Sequence, residues 1–358
     1  MSKTLTKDKL KEIISTLISD SKQIIAPVSI AGKYFYREIS NSNEPIFDSV
    51  IKPANSIKEF FFPQHETICN YCYRGKELVI SDTNLLDKEQ VIFGSRPCEA
   101  ASLPILDKVF GWDFQDNFFQ QRRKLSTVIT IDCKPDNFCF CTSVGLSSKT
   151  SSGADAMLIP ISENEFEVRI FTDRGMKIFD KEVMEREAAE SSETVSSETV
   201  SSETVSGEIV SGETVNIGGL PEVKFDAKNV QNYLTEHFAD DVFDRLSIRC
   251  IGCGVCTYVC PTCHCFDIVD EGGANHGERV KNWDSCQFSF FTYHASGHNP
   301  RGDQSARQRN RIQHKFRIYP DKFGSILCTG CGNCARECSV SLGVLPYAAA
   351  LDKKSKSE

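Results

Sequence analysis

No apolar run in this 358-residue chain approaches the roughly 18 to 20 residues that a bilayer-spanning helix needs, so membrane insertion is not expected. Basic charge is also in short supply. Against 49 Asp and Glu there are 41 Lys and Arg, and the net charge of −8 disfavours general nucleic-acid binding. The nucleotide-binding signatures are missing, with no G-x-G-x-x-G after a strand and no Walker-A loop, and there is no adjacent Cys-Cys of a heterodisulfide-reducing site. Nothing therefore marks a flavin or nicotinamide pocket. A secreted disulfide scaffold would want a small chain and an even cysteine count, and this chain has 17. Positions 142–249 hold no cysteine at all.

The cysteines that are present form two groups, six up to Cys141 and eleven from Cys250 onward. Tight clustering of this kind points to thiolate metal ligands in a reducing, cytoplasmic compartment. Apolar residues make up 40% of the chain, enough for a buried core, and the length fits two ordinary domains. The expected fold is α+β. A mixed α/β domain over 1–185 is followed by an acidic linker, 186–220, and a largely helical dicluster ferredoxin-type domain, 221–347. Residues 348–358 form a charged tail.

Residues 1–20 carry charge throughout and read as an amphipathic helix rather than a signal peptide. Leu10, Ile13, Ile14 and Leu17 make the stripe of a core-facing helix. Residues 91–93 and 128–131 are β-branched, apolar runs suited to buried strands, and 156–161 with 166–171 read as a hairpin. The linker is a five-residue repeat, ETVSS ETVSS ETVSG EIVSG ETV over 193–215. A period of five matches neither helix nor strand. Residues 187–219 also hold seven Glu and no Lys, Arg or Asp, so the segment is expected to stay unfolded, or else to lie extended against a partner.

The strongest signal lies beyond it. Cys250, Cys253, Cys256 and Cys260, followed by Pro261, form C-x2-C-x2-C-x3-C-P. Cys328, Cys331, Cys334 and Cys338 repeat the spacing, with Ser339 in place of proline. This is the bacterial ferredoxin signature, in which the fourth cysteine of each run crosses to the other cluster. The expected ligand sets are Cys250, Cys253, Cys256 and Cys338 for a first [4Fe–4S] cluster, and Cys260, Cys328, Cys331 and Cys334 for a second. Zinc is the competing reading, but zinc sites rarely use such runs. Two neighbouring clusters make an electron relay.

Six further positions bear on the site. Cys98 follows the run 91–93 and Cys133 follows 128–131, with a helical stretch between them. In a β-α-β crossover both would emerge at the carboxyl edge of a parallel sheet, where open α/β sheets place their sites. Cys139 and Cys141 lie close by in sequence. Three outcomes are open for these four thiols: a third [4Fe–4S] cluster, a zinc site, or structural packing. Cys69 and Cys72 form a lone C-x2-C with no second half.

The long insert 261–327 carries Cys263, Cys265 and Cys286, read either as buried thiols packed by the clusters or as another metal site. It also carries a basic stretch of Arg301, Arg307, Arg309, Arg311, Lys315 and Arg317. These cations could raise a cluster's reduction potential, dock an acidic partner, or simply face solvent.

Taken together, GSRPCE (94–99), CFC (139–141), RCIGCGVCTYVCPTCHCFD (249–267), WDSC (283–286), ASGHNPR (295–301) and HKF (314–316) resemble one known family. It comprises the beta subunits of soluble [NiFe] sulfhydrogenases and the corresponding iron–sulfur subunits of anaerobic sulfite reductases. The resemblance spans both domains but not the acidic repeat. It implies an electron-transfer subunit between a flavin/NAD(P)-binding partner with a [2Fe–2S] centre and a catalytic oxidoreductase subunit of hydrogenase, sulfite-reductase or heterodisulfide-reductase type. The rival is a catalytic reductase subunit whose substrate binds at the N-terminal cysteines.

Overall fold

The computed structural model of the chain describes residues 3–83, 88–179 and 221–357. The acidic repeat lies outside the described residues. A seven-stranded sheet organises the N-terminal part, in the order β1-β9-β8-β7-β6-β2-β3. Its central strands β2 (Gln23–Ile30), β6 (Gln90–Ser95), β7 (Ser126–Ile131) and β8 (Ala156–Pro160) run parallel. The outer strands β1 (Lys3–Thr6), β3 (Lys33–Ile39) and β9 (Glu165–Ile170) pair antiparallel. Parallel strands need cover on both faces, which is why 91–93 and 128–131 are apolar without alternation. Val91, Phe93, Ile129 and Ile131 face one core, which the helix α1 (Lys7–Ser19) closes with Leu10, Ile13, Ile14 and Leu17. Ile92 and Val128 point the other way, into a core with Leu103, Leu106, Phe110 and Phe119.

The expected β-α-β crossover and the expected hairpin, β8 with β9, are both present. The connecting helical stretch is broken into Pro97–Ala100, Leu103–Phe110 and Asn117–Leu125.

A second, antiparallel sheet joins the two halves of the chain. Its order is β10-β11-β4-β5. Strands β4 (His65–Arg74) and β5 (Glu77–Asp82) come from the N-terminal part, and β10 (Phe266–Gly272) and β11 (His276–Trp283) from the long insert. Trp283 anchors this sheet, donating Nε1 to the Phe62 carbonyl at 3.0 Å beneath the ammonium of Lys58. The remaining C-terminal region is helical. Helices Ala227–Glu236, Val242–Ser247, Gln304–Gln313 and Leu345–Ser355 bury Val230, Leu234, Phe243, Ile312, Tyr347 and Leu351, beside Phe316 of the segment His314–Ile318, in a third core that also contains Cys256, Cys328 and Cys334. The charged residues at the end of the chain extend the last helix, where Lys354 pairs with Asp240 and Asp241. No helix among the described residues is long and apolar enough to cross a membrane.

Candidate metal centre

The two ferredoxin-type runs fold alike. Gly252 and Gly330 have φ of 71° and 63°, and Gly254 and Gly332 have 78° and 76°. Each run then turns into one short helix, Val255–Tyr258 or Asn333–Arg336, carrying its third cysteine. This left-handed turn aims successive backbone N–H groups inward, the concave arrangement that binds anions.

Cys260, Cys328, Cys331 and Cys334, drawn from both runs, line one small enclosed cavity together with Lys315 and Phe140. The set expected for the first centre is drawn together less. Cys250 interacts with Cys256, Cys250 and Cys338 pack on the same helical core, and Cys253 is exposed.

The N-terminal thiols converge. Cys98 follows β6 and Cys133 follows β7 at the same carboxyl edge, while Cys139 and Cys141 lie on the next loop. Burial pushes the Cys98 thiol up, and the fields of Cys133 and Cys139 add to it. Burial also raises Cys141, to about 11, again with Cys133 and Cys139 as neighbours. Buried thiols held protonated in this way must release protons when metal binds.

The three sets adjoin in a fixed order. Cys98 lies within the field of Cys331, and Cys256 within that of Cys334. The set around Cys260 and Cys331 is therefore the middle one. Its seam with the N-terminal loop is tight: the Phe140 N–H donates to the Gly330 carbonyl at 2.9 Å. A Cβ on Gly330 would lie 2.5 Å from the Cys141 Cα. The Asp136 carboxylate takes the Arg336 guanidinium at 2.8 Å and lies 3.2 Å from Cys139 Sγ. Burial opposes ionisation of Asp136, but the charge and hydrogen bonds of Arg336 together hold its pKa below the usual carboxylate value.

A buried polar network also crosses the seam. Arg96 Nη2 donates to Asn333 Oδ1 at 3.0 Å and to Glu99 Oε1 at 3.3 Å. Glu99 in turn accepts from Ser56 Oγ at 2.5 Å and from Asn333 Nδ2 at 3.1 Å. Arg96, Glu99 and Asn333 do not stand out as site residues in the sequence, although all three lie within the 94–99 motif or the second ferredoxin run.

The residues suit an iron–sulfur occupant. Arg96 and Arg311 are each 2% exposed, and each leaves Nε and Nη1 without a partner. Leaving such donors buried and unmet is costly, and the sulfides and thiolates of a cluster are acceptors of the required charge. Among the described residues no three His, Cys, Asp or Glu side chains converge as closely as a single metal ion requires. A cubane takes one thiolate per iron corner and tolerates the wider spacing.

Residues 249–342 match the 4Fe-4S dicluster domain family. The chain is also 27% identical over 321 residues to sulfhydrogenase 2 subunit beta of Pyrococcus furiosus, with 88% of each chain covered. The chain is thus similar to a sulfhydrogenase beta subunit over most of its length. No solved structure matches the chain. The dicluster domain carries two [4Fe–4S] clusters, which makes the chain an iron–sulfur protein of the electron-transfer kind.

The other cysteines of the chain behave differently. Cys263 is hydrogen-bonded to Cys260, and Cys265 to Cys286, all within the wall around the centres. Cys69 and Cys72 sit on β4, opposite Arg279 and His276 of β11. The basic stretch divides. Arg311 and Lys315 are buried, Arg307 is tied to the Arg301 and Gly302 carbonyls, and Arg309 lies over the Phe238 ring.

Proposed function

We propose that the chain relays single electrons through three [4Fe–4S] centres in a sulfhydrogenase-like complex and performs no bond chemistry itself. In this reading Cys250, Cys253, Cys256 and Cys338 hold the first centre, and Cys260, Cys328, Cys331 and Cys334 the second. Cys98, Cys133, Cys139 and Cys141 hold the third. The observation that carries it is the adjacency of the three thiol sets, with the set around Cys260 shared as a neighbour by the other two.

The first centre opens to the surface. Cys253 is the exposed cysteine among the 17, and Ile248, Ile251 and Phe290 in the same region are 83%, 70% and 80% exposed. A redox partner docking there brings its cofactor beside a cluster ligand. In this reading, as the family resemblance of its motifs implies, the chain works in a cytoplasmic complex with two further components, one a flavin/NAD(P)-binding [2Fe–2S] subunit, the other a catalytic oxidoreductase subunit. Residues 1–185 and 221–347 are its two working units, joined by 186–220. The rival reading, substrate reduction at the N-terminal centre, needs an iron with an open position. Four thiols gathered there leave none.

Cys98→Ser tests the third centre. Iron per chain in anaerobically purified protein should fall by about four, and unchanged iron would remove that centre from the path.

A further inference from the structure

The helix Gln304–Gln313 does not continue as a regular α-helix. It passes into a π-helical turn, His314–Ile318, before the short helix Tyr319–Phe323. Such turns are rare and concentrate at functional sites, because the extra residue per turn re-aims the side chains that follow. Here Lys315 is turned inward and is 1% exposed. Its Nζ donates to Cys260 Sγ at 3.4 Å, Thr262 Oγ1 at 3.1 Å and the Leu327 carbonyl at 2.9 Å. The Lys315 carbonyl accepts from the Leu327 N–H at 3.1 Å, so the turn also clamps the residue before Cys328.

A buried ammonium is costly unless a counter-charge faces it. The groups whose fields favour the charged form of Lys315 are the thiols Cys260, Cys263 and Cys328. One helical turn earlier, Arg311 lies between Cys256 and Cys334 with two unmet donors. On the far side, Arg96 reaches Cys331 as well as Cys98.

These cations are not shared evenly. The middle centre is approached by Lys315 and Arg311, and by Arg96 together with its counter-ion Glu99. The first centre shares Arg311, and its Cys250 Sγ receives only the neutral Gln308 amide, at 3.2 Å. The N-terminal centre shares Arg96 with its counter-ion Glu99, has Lys52 near Cys133, and has Arg336 at 3.9 Å from Cys139 Sγ, a charge that the Asp136 carboxylate paired with it at 2.8 Å offsets.

We infer that Lys315, turned inward by the π-turn and backed by Arg311, makes the centre of Cys260, Cys328, Cys331 and Cys334 the most positive in potential of the three. Adding an electron adds one unit of negative charge, so a fixed cation at the ligand sulfur favours reduction. An electron entering from either neighbouring centre comes to rest in the middle. Lys315 is thus a positioning residue for charge, and the inference rests on the ligand assignment proposed above.

The test is an EPR-monitored redox titration of the full-length, cluster-loaded protein and its Lys315→Met, Lys315→Arg and Arg311→Met variants. Lys315→Met should move the most positive cluster signal to lower potential by at least tenfold in its reduction equilibrium, ~59 mV for one electron. Iron content should be unchanged. Lys315→Arg should restore the wild-type value, and Arg311→Met should lower two signals. Equal shifts in Lys315→Met and Lys315→Arg, no shift, or loss of iron from Lys315→Met would overturn the inference. Fewer than about eight irons in the wild type would instead defeat the ligand assignment, before any variant is compared.

Discussion

The seam between the N-terminal thiols and the set around Cys260 and Cys331 is closed by a residue without a side chain, which makes Gly330→Ala a sharp perturbation. Gly330 has φ of 63°, where an alanine costs about 1 kcal/mol. A Cβ there would lie 2.5 Å from both Cα and N of Cys141 and 2.6 Å from the Phe140 carbonyl carbon. These are backbone atoms and cannot rotate away. To restore a carbon contact of about 3.5 Å the two loops must part by about 1 Å. That separation breaks the Phe140 N–H to Gly330 bond, worth about 1 kcal/mol net. The total cost is at least about 2 kcal/mol, carried at the place where two thiol sets meet. Gly145→Ala is the matched control: its φ is 76°, but nothing lies within 4 Å of the added Cβ, so it should cost only about 1 kcal/mol. Denaturant unfolding of the loaded protein measures both variants. Spin–spin broadening in EPR reports the distance between neighbouring reduced centres, and it should weaken in Gly330→Ala alone. If the two variants behave alike in stability and in coupling, the seam does not bring these centres together.

Acid sensitivity should trace in part to a pair of neighbouring imidazoles, His264 and His314, whose ring centroids are 5.4 Å apart. Burial pushes their pKa values down to about 4 and about 3, while an unfolded histidine titrates near pH 6.5. The stability they contribute is therefore complete above about pH 6.5 and is lost as pH falls towards 4, because only the unfolded chain takes up the protons. His314→Phe should recover on the order of 1–2 kcal/mol at pH 5 relative to pH 7, measured by thermal melts at the two values. Parallel pH profiles for variant and wild type would contradict this. Deleting 193–215 should leave cluster spectra and electron transfer to an external acceptor intact, since so few apolar residues, spaced at a period of neither helix nor strand, offer no face to bury. Loss of partner assembly on deletion would show that the repeat is a contact segment.

The local signals were legible because they rest on short-range spacing. The helix α1, the buried strands β6 and β7 and the β8–β9 hairpin follow from apolar periods that need no knowledge of the rest of the chain. The convergence of Cys98 with Cys133 was also within reach, because a parallel crossover dictates which edge both strands end on. Two features were not legible. Pairing of β11 with β4 joins segments some two hundred residues apart, and no local pattern specifies that register. The basic stretch reads as one face, yet the π-turn at His314–Ile318 splits it, sending Lys315 to Cys260 while Arg317 pairs outside with Asp321. A single-residue change in helical period is invisible to spacing rules built on 3.6.

The most direct measurement is the count of iron and acid-labile sulfide per chain in protein purified without oxygen. About twelve of each, four per cubane, with a brown chromophore that bleaches on reduction, is the predicted result. Colourless protein holding zinc on the thiols of the two ferredoxin-type runs would contradict the account at its root.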